Sequence, residues 1–294
     1  VEEVSVRELV RRPFKITEID FPVENLNPNL NGFLIVHLAD LHTGVYTSSE
    51  LLEKAFEFTA NLKPNLILHT GDFVHSGRHD VRELLFKSFG HRATKFRQYK
   101  RLARIFAKEL RGMMEDLNPS HGSYGVFGNH DYIEGVRTVK RYLFDRIKWL
   151  VNDSVVVPDT DGNITISGLD DFKYGKPSIT ETTKKLEDLE KVSSSYNILL
   201  NHNPDALFAK DNKHLSKYNL ILGGHTHGGQ VCLPGTIALT TQTKNRKFYR
   251  GLDKFSENTY VYTSRGVGCA GVPFRLFCDP EIVVIRLVGK RESF

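Results

Sequence analysis

The chain has 294 residues, 40% of them hydrophobic and 26% charged, with a formal net charge of +5. That length suits one large buried core, expected to be a single domain over residues 1–294, and the composition excludes a disordered or fibrous chain. No apolar run approaches the ~20 residues of a transmembrane helix, and Cys232, Cys269 and Cys278 lack zinc-knuckle spacing and read as free thiols of a reducing compartment. The sequence begins at Val1 rather than Met, as expected of a processed or trimmed chain, which leaves room for a membrane anchor upstream.

In chain order, strand-like apolar runs alternate with helical stretches. Residues 32–39 form a run that ends at Asp40 and His42, and residues 65–70 end at Gly71-Asp72. Residues 123–127 lead into Gly128-Asn129-His130-Asp131, residues 197–200 into Asn201-His202, and residues 220–222 into the block Gly224-His225-Thr226-His227. Helices are predicted over 49–62, capped by Ser48 or Ser49, and over 136–144. The tail from Asn258 to Leu287 returns to strands, at 260–263 and 281–287. In open α/β sheets, ligands bind at the carboxyl ends of strands. Five strand ends here deliver Asp40, His42, Asp72, Asn129, His130, His202, His225 and His227 to one edge. Oxygen and imidazole donors of this kind can hold two divalent cations side by side, a pair suited to phosphoryl displacement. Singly, each block also reads as a turn or a packed histidine; the coincidence of five favours a site. The histidines outside the blocks are expected to be structural, with His75 and His79 closest to the site.

Residues 78–117 depart from this rhythm. Between Arg78 and Arg111 eleven Lys and Arg stand against three acidic residues, a surplus larger than the +5 of the whole chain. Val81, Leu84, Leu85 and Phe89, then Tyr99, Leu102, Phe106, Leu110 and Met113, recur at helical spacing, with Gly90 between two predicted basic amphipathic helices. Such helices suit an anionic membrane surface or an anionic substrate. Equally, the apolar face can pack on the main fold and leave the charges solvated. Nucleic acid is disfavoured, because no recognisable nucleic-acid module accompanies the segment.

The five blocks, in their order over residues 40–227, resemble the calcineurin-like metallophosphoesterase family: Asp-X-His, Gly-Asp, Gly-Asn-His-Asp, a lone His, and Gly-His-X-His. The resemblance implies an α/β fold, a two-layered mixed β-sheet sandwich flanked by helices, here with a helical lid insertion at 78–117. It implies that Asp40, His42 and His227 hold one cation, that Asn129, His202 and His225 hold the other, and that Asp72 bridges both. The mixed donors suit Mn²⁺, with Fe or Zn²⁺ as alternatives. His130 is implied to face the phosphate as a catalytic residue, its imidazole fixed by Asp131.

A narrower resemblance rests on residues 32–42, on Gly224 to Gln230 and on Val272 to Glu281. It points to bacterial envelope-associated phosphodiesterases and the chlamydial-type UDP-2,3-diacylglucosamine pyrophosphatase of lipid A synthesis. The expected reaction is attack on UDP-2,3-diacylglucosamine, releasing UMP and the lipid 1-phosphate. The expected location is the cytoplasmic side of the inner membrane, peripheral through the basic insertion or anchored upstream of Val1, and otherwise the cytoplasm. A broad Mn²⁺-dependent envelope phosphodiesterase is the alternative; a non-catalytic scaffold would have lost donors, and none is lost. Asn203, Arg265 and Arg275 are candidate substrate contacts, and no protein partner is indicated.

Overall fold

The computed structural model describes residues 13–24, 26–77, 92–160, 164–190, 196–235 and 237–289. Its principal strands, in chain order, are β1 (Lys15–Val23), β2 (Leu34–Leu38), β3 (Leu66–His69), β4 (Ser123–Gly125), β5 (Lys148–Trp149), β6 (Asp153–Val156), β7 (Ile164–Gly168), β8 (Tyr196–Leu200), β9 (Leu220–Gly223), β10 (Gly251–Lys254), β11 (Tyr260–Thr263) and β12 (Glu281–Gly289). The helices are α1 (Ser49–Asn61), α2 (Arg92–Met113), α3 (Asn129–Glu134), α4 (Val136–Leu143) and α5 (Ile179–Glu190). They join into two six-stranded sheets, ordered β1-β12-β2-β3-β4-β5 and β10-β11-β9-β8-β7-β6. Both are mixed: β2, β3, β4 and β5 run parallel while β12 opposes β2, and β7, β8, β9 and β11 run parallel while β6 and β10 oppose their neighbours.

Side chains of successive strand residues point to opposite faces, and both faces of each sheet are used. Ile35, Leu66 and Leu68 meet Ile198, Leu200, Leu220 and Leu222 in one buried layer between the sheets. Their neighbours Val36, Leu38 and Ile67 face outward onto Leu52 and Phe56 of α1, Ala107 and Leu110 of α2 and Val139 of α4. On the far side, Leu199, Ile221 and Val261 pack with Ile179 and Leu186 of α5. Strands buried on both faces read as continuous apolar runs, which is why residues 66–68 and 198–200 do so. Each such side chain contributes about 1.5–3 kcal/mol of burial. The parallel strands β2, β3, β4, β8 and β9 each run straight into one of the five blocks, and those blocks meet beyond the strands' carboxyl ends.

Within the basic segment, α2 lays Ala103, Ala107 and Leu110 into the core, with Phe106 and Met113 partly buried against it. Arg97, Lys100, Arg101, Arg104 and Lys108 are exposed. Glu109 accepts a hydrogen bond from Ser49 Oγ at 2.6 Å and Arg111 Nη2 donates to Asp145 Oδ2 at 2.6 Å, tying the helix to its neighbours. The apolar stripe of α2 is therefore spent on packing against the main fold, one of the two readings that the segment allows. Its phenyl ring at Phe106 lies against Gly44, so the helix does border the site. The first predicted helix of the segment, with Gly90, His79 and His91, lies outside the described residues.

Candidate metal centre

The donors come from loops whose backbones are unusually bent. Asp40, His42, Asp72, His225 and His227 all have positive φ, between 43° and 71°. Asp and His tolerate this region better than most residues, at a cost of order 1–3 kcal/mol each, and such strain gathers at functional sites. Two loops support each other: His42 N donates to Asp72 O at 2.9 Å, and Asp40 N to Gly71 O at 3.1 Å. The glycines of two blocks have a steric reason. A Cβ on Gly128 would lie 2.2 Å from Asp72 Oδ1, and one on Gly224 would lie 2.6 Å from Asp40 Oδ2. Only glycine lets the backbone approach these carboxylates so closely.

Seven predicted ligands are brought together and buried. One group holds Asp40, His42 and His227, and a second holds Asp72, His202 and His225. His42 Nε2 is 3.0 Å from His227 Nε2, while His202 Nε2 is 3.0 Å from Asn129 Oδ1 and 3.2 Å from His225 Nδ1. Asp72 Oδ2 joins the groups, 3.4 Å from His42 Nε2 and 3.3 Å from His202 Nε2. Thr70 O accepts from His202 Nδ1 at 2.8 Å, which fixes that tautomer and turns the lone pair of Nε2 inward.

Burial pushes His42 and His227 well below the usual imidazole range and His225 down to about 3, so their lone pairs are free at neutral pH. Burial also pushes Asp40 up to about 7. Burial opposes ionisation of Asp72 too, but the charges of His202 and His130 outweigh it and hold the carboxyl well below its ordinary range. His202 is the converse: burial disfavours its cation, yet Asp72 beside it raises the pKa to about 10. Three neutral imidazoles, a fourth at His202 whose proton a cation would replace, buried carboxylates and an amide oxygen fit divalent transition-metal cations; the chemistry of the donors leaves the metal's identity open.

The remaining predicted residues fall differently. His130 is half-buried at the rim, and its backbone N–H donates to Asp72 Oδ1 at 2.7 Å. Asp131 is buried, and its carboxylate accepts from three backbone N–H groups. Its Oδ2 accepts from Asp72 N (2.9 Å) and Gly128 N (2.8 Å), and its Oδ1 from Phe73 N (2.9 Å). One helical turn on, Glu134 accepts from both N and Oγ of Ser76. Helix α3 thus clamps residues 72–76 through two acids. The guanidinium of Arg275 donates to the carbonyls of His227, Arg265, Gly266 and Gly268, lacing the loops beside the site. Asn203 Oδ1 caps a 3₁₀ turn by accepting from Asp205 N, and Arg265 lies beside the buried Glu281. His75, expected to be structural, instead joins the rim, its ring centroid 4.2 Å from His130 and 5.2 Å from His42. Its place three residues after Asp72 was the available signal.

Residues 33–229 match the family model described as calcineurin-like phosphoesterase. An uncharacterized metallophosphoesterase of Campylobacter jejuni is 27% identical over 289 residues, covering 98% of this chain and 66% of its own length, so the chain spans just under two thirds of that relative. The uncharacterized metallophosphoesterase YkoQ of Bacillus subtilis is 27% identical over 91% of this chain and 88% of its own. A transmembrane protein with metallophosphoesterase domain from Danio rerio is 29% identical over 94% of this chain and 58% of its own. A solved crystal structure, 11% identical, shares the fold at a TM-score of 0.51, covering 80% of this chain and 91% of that one.

Asp131→Ala strands three buried N–H groups and is expected to cost about 3 kcal/mol or more, read by urea unfolding. Cation occupancy should fall while the shape of the pH–rate profile is kept; a lost or shifted limb would mean that Asp131 tunes His130 after all. A cation and a proton compete for Nε2 of His202, whose proton is retained below about pH 10 without metal. Cation uptake at neutral pH should therefore release between one and two protons, one from His202 and part of one from Asp40, and weaken as pH falls. Calorimetric titration in buffers of different ionisation enthalpy measures this; buffer-independent heats would contradict it.

Proposed function

The chain belongs to the calcineurin-like phosphoesterase family, and from that premise we propose that it is a metal-dependent hydrolase of a phosphodiester or pyrophosphate. One observation carries the reading: a single carboxylate oxygen, Asp72 Oδ2, stands 3.4 Å and 3.3 Å from histidines of two separate donor groups. An anionic carboxylate placed between the groups can serve two cations at once. Asp40, His42 and His227 would hold one, Asn129, His202 and His225 the other, and Asp72 both. Such a pair, when bound, polarises phosphorus and activates water at neutral pH.

The chain's own residues supply orientation and proton transfer. Asp131 and Glu134 fix the backbone of residues 72–76, so that Asp72 meets both groups without rearrangement. The N–H of His130 on Asp72 Oδ1 holds that residue over the centre, from where its imidazole donates a hydrogen bond, and then a proton, to the departing oxygen. Glycines at 128 and 224 keep the approach open.

UDP-2,3-diacylglucosamine is the substrate to test first, on the strength of residues 224–230 and 272–281 and of the exposed arginines and lysines along α2. A relative whose name describes a transmembrane protein supports chemistry near a membrane. The alternative is a broad Mn²⁺-dependent phosphodiesterase. The test compares UDP-2,3-diacylglucosamine in mixed micelles with a soluble aryl phosphodiester, with and without Mn²⁺. We expect both to turn over, and Asp72→Ala to lose at least about 10³-fold on each. Turnover of the soluble diester alone would remove the lipid nucleotide, and full activity in Asp72→Ala would remove the dinuclear reading.

A further inference from the structure

Fifteen large apolar residues are exposed among the described residues, and six of them gather on two adjoining segments just past His227: Leu233, Ile237, Leu239, Phe274, Leu276 and Phe277. Ile237 is 60% exposed, Leu239 56%, and Phe274 and Phe277 52% each. The segments are one surface. Leu233 and Ile237 are cross-strand partners, Val231 bridges to Leu276, and Cys232 N donates to Leu276 O at 2.9 Å. Buried Cys232, Ala238 and Cys278 form a small core beneath. The side-chain amide of Gln230 bonds to the carbonyls of Ala270, Val272 and Phe274 and accepts from Ala270 N. The backbone is held while the large side chains are turned outward, and a patch of this kind marks an interaction site.

Charge identifies what it meets. From His225 to Leu252 the sequence contains no Asp or Glu but has Lys244, Arg246, Lys247 and Arg250; from Ser264 to Cys278 it again has no acid, with Arg265 and Arg275. Lys244, Arg246 and Lys247 are exposed, and Arg246 Nη2 donates to Leu239 O at 3.3 Å, placing a cation at the edge of the apolar patch. An apolar patch edged by cations, with Asp253 and the exposed Asp279 the nearest acids along its own segments, matches the boundary of an anionic bilayer, where apolar side chains enter the acyl region and each nearby cation gains about 1 kcal/mol. A second copy of the chain would bring like charges together. Nucleic acid would call for stacking platforms, whereas four of the six side chains are aliphatic.

We propose that this face docks on the surface of an anionic phospholipid bilayer, in place of the apolar stripe of α2, which packing has consumed. The face is coupled to the centre: Arg275 Nη1 and Cys278 Sγ both bond to His227 O, each at 3.2 Å. Docking would hold the chain, and its metal centre with it, at the bilayer surface, where the phosphoesters within reach are those carried on lipids. This deepens the hydrolase reading above and rests on it for the chemistry alone.

The test is co-sedimentation of the 294-residue chain with vesicles of equimolar phosphatidylglycerol and phosphatidylcholine, beside phosphatidylcholine alone, at low and high salt. Hydrolysis of a soluble aryl phosphodiester is measured in parallel. Expected is binding to the anionic vesicles that salt weakens, and at least about a tenfold lower partition for Ile237→Ser/Phe274→Ser, with soluble-diester activity unchanged. Equal partition of the wild type and the double variant would overturn the proposal, as would a concentration-dependent dimer that the substitutions dissolve. Vesicle binding with no hydrolysis of either the soluble diester or UDP-2,3-diacylglucosamine would leave the surface standing and remove the hydrolase reading instead.

Discussion

The fold's chemistry depends on one carboxylate. Asp72 is buried, in a left-handed backbone conformation, with imidazoles on either side and backbone donors around it. Removing a carboxylate from water costs several kcal/mol unless charges and hydrogen bonds replace the lost solvent. His202 and the His130 N–H begin that replacement, and a pair of cations would complete it. Everything nearest the centre serves this position. Gly128 gives it room, and Asp131 holds the peptide groups on either side of it.

The site also shows how a sandwich of parallel strands becomes a rigid cradle. Strand ends supply the donors, but strand ends alone leave loops free to wander. Here α3 grips residues 72–76 with Asp131 and Glu134, and Arg275 grips residues 265–268 and His227 with its guanidinium. Acid on one side and base on the other hold the two loops by their backbones. Asp131 and Glu134 are as buried as the donors and Arg275 is partly so, and all three act on backbone.

The donors were legible in the sequence because each follows directly on a buried strand, and both the strand and the donor type can be read locally. Helices α1 and α4 were legible for the same reason, from apolar spacing. Asp131 and Arg275 were not, because their partners are backbone groups of distant loops, and no side-chain pattern records those. The left-handed turns at Asp40 and His42 were not legible, because Asp and His adopt a positive φ too rarely for their identity alone to predict it. The basic segment was half legible: its spacing gave α2, but spacing cannot say whether an apolar stripe packs inward or waits for lipid. Leu233, Ile237, Leu239, Phe274, Leu276 and Phe277 lie in two-residue strands and loops too short to show periodicity, so only the structure gathers them.

The central claim is that one carboxylate serves two cations. Anomalous diffraction from crystals grown with Mn²⁺ tests it most directly. Two peaks about 3.5–4 Å apart, with Asp72 Oδ2 between them, are the expected result. A single peak, or two peaks with Asp72 bound to only one, would contradict the account.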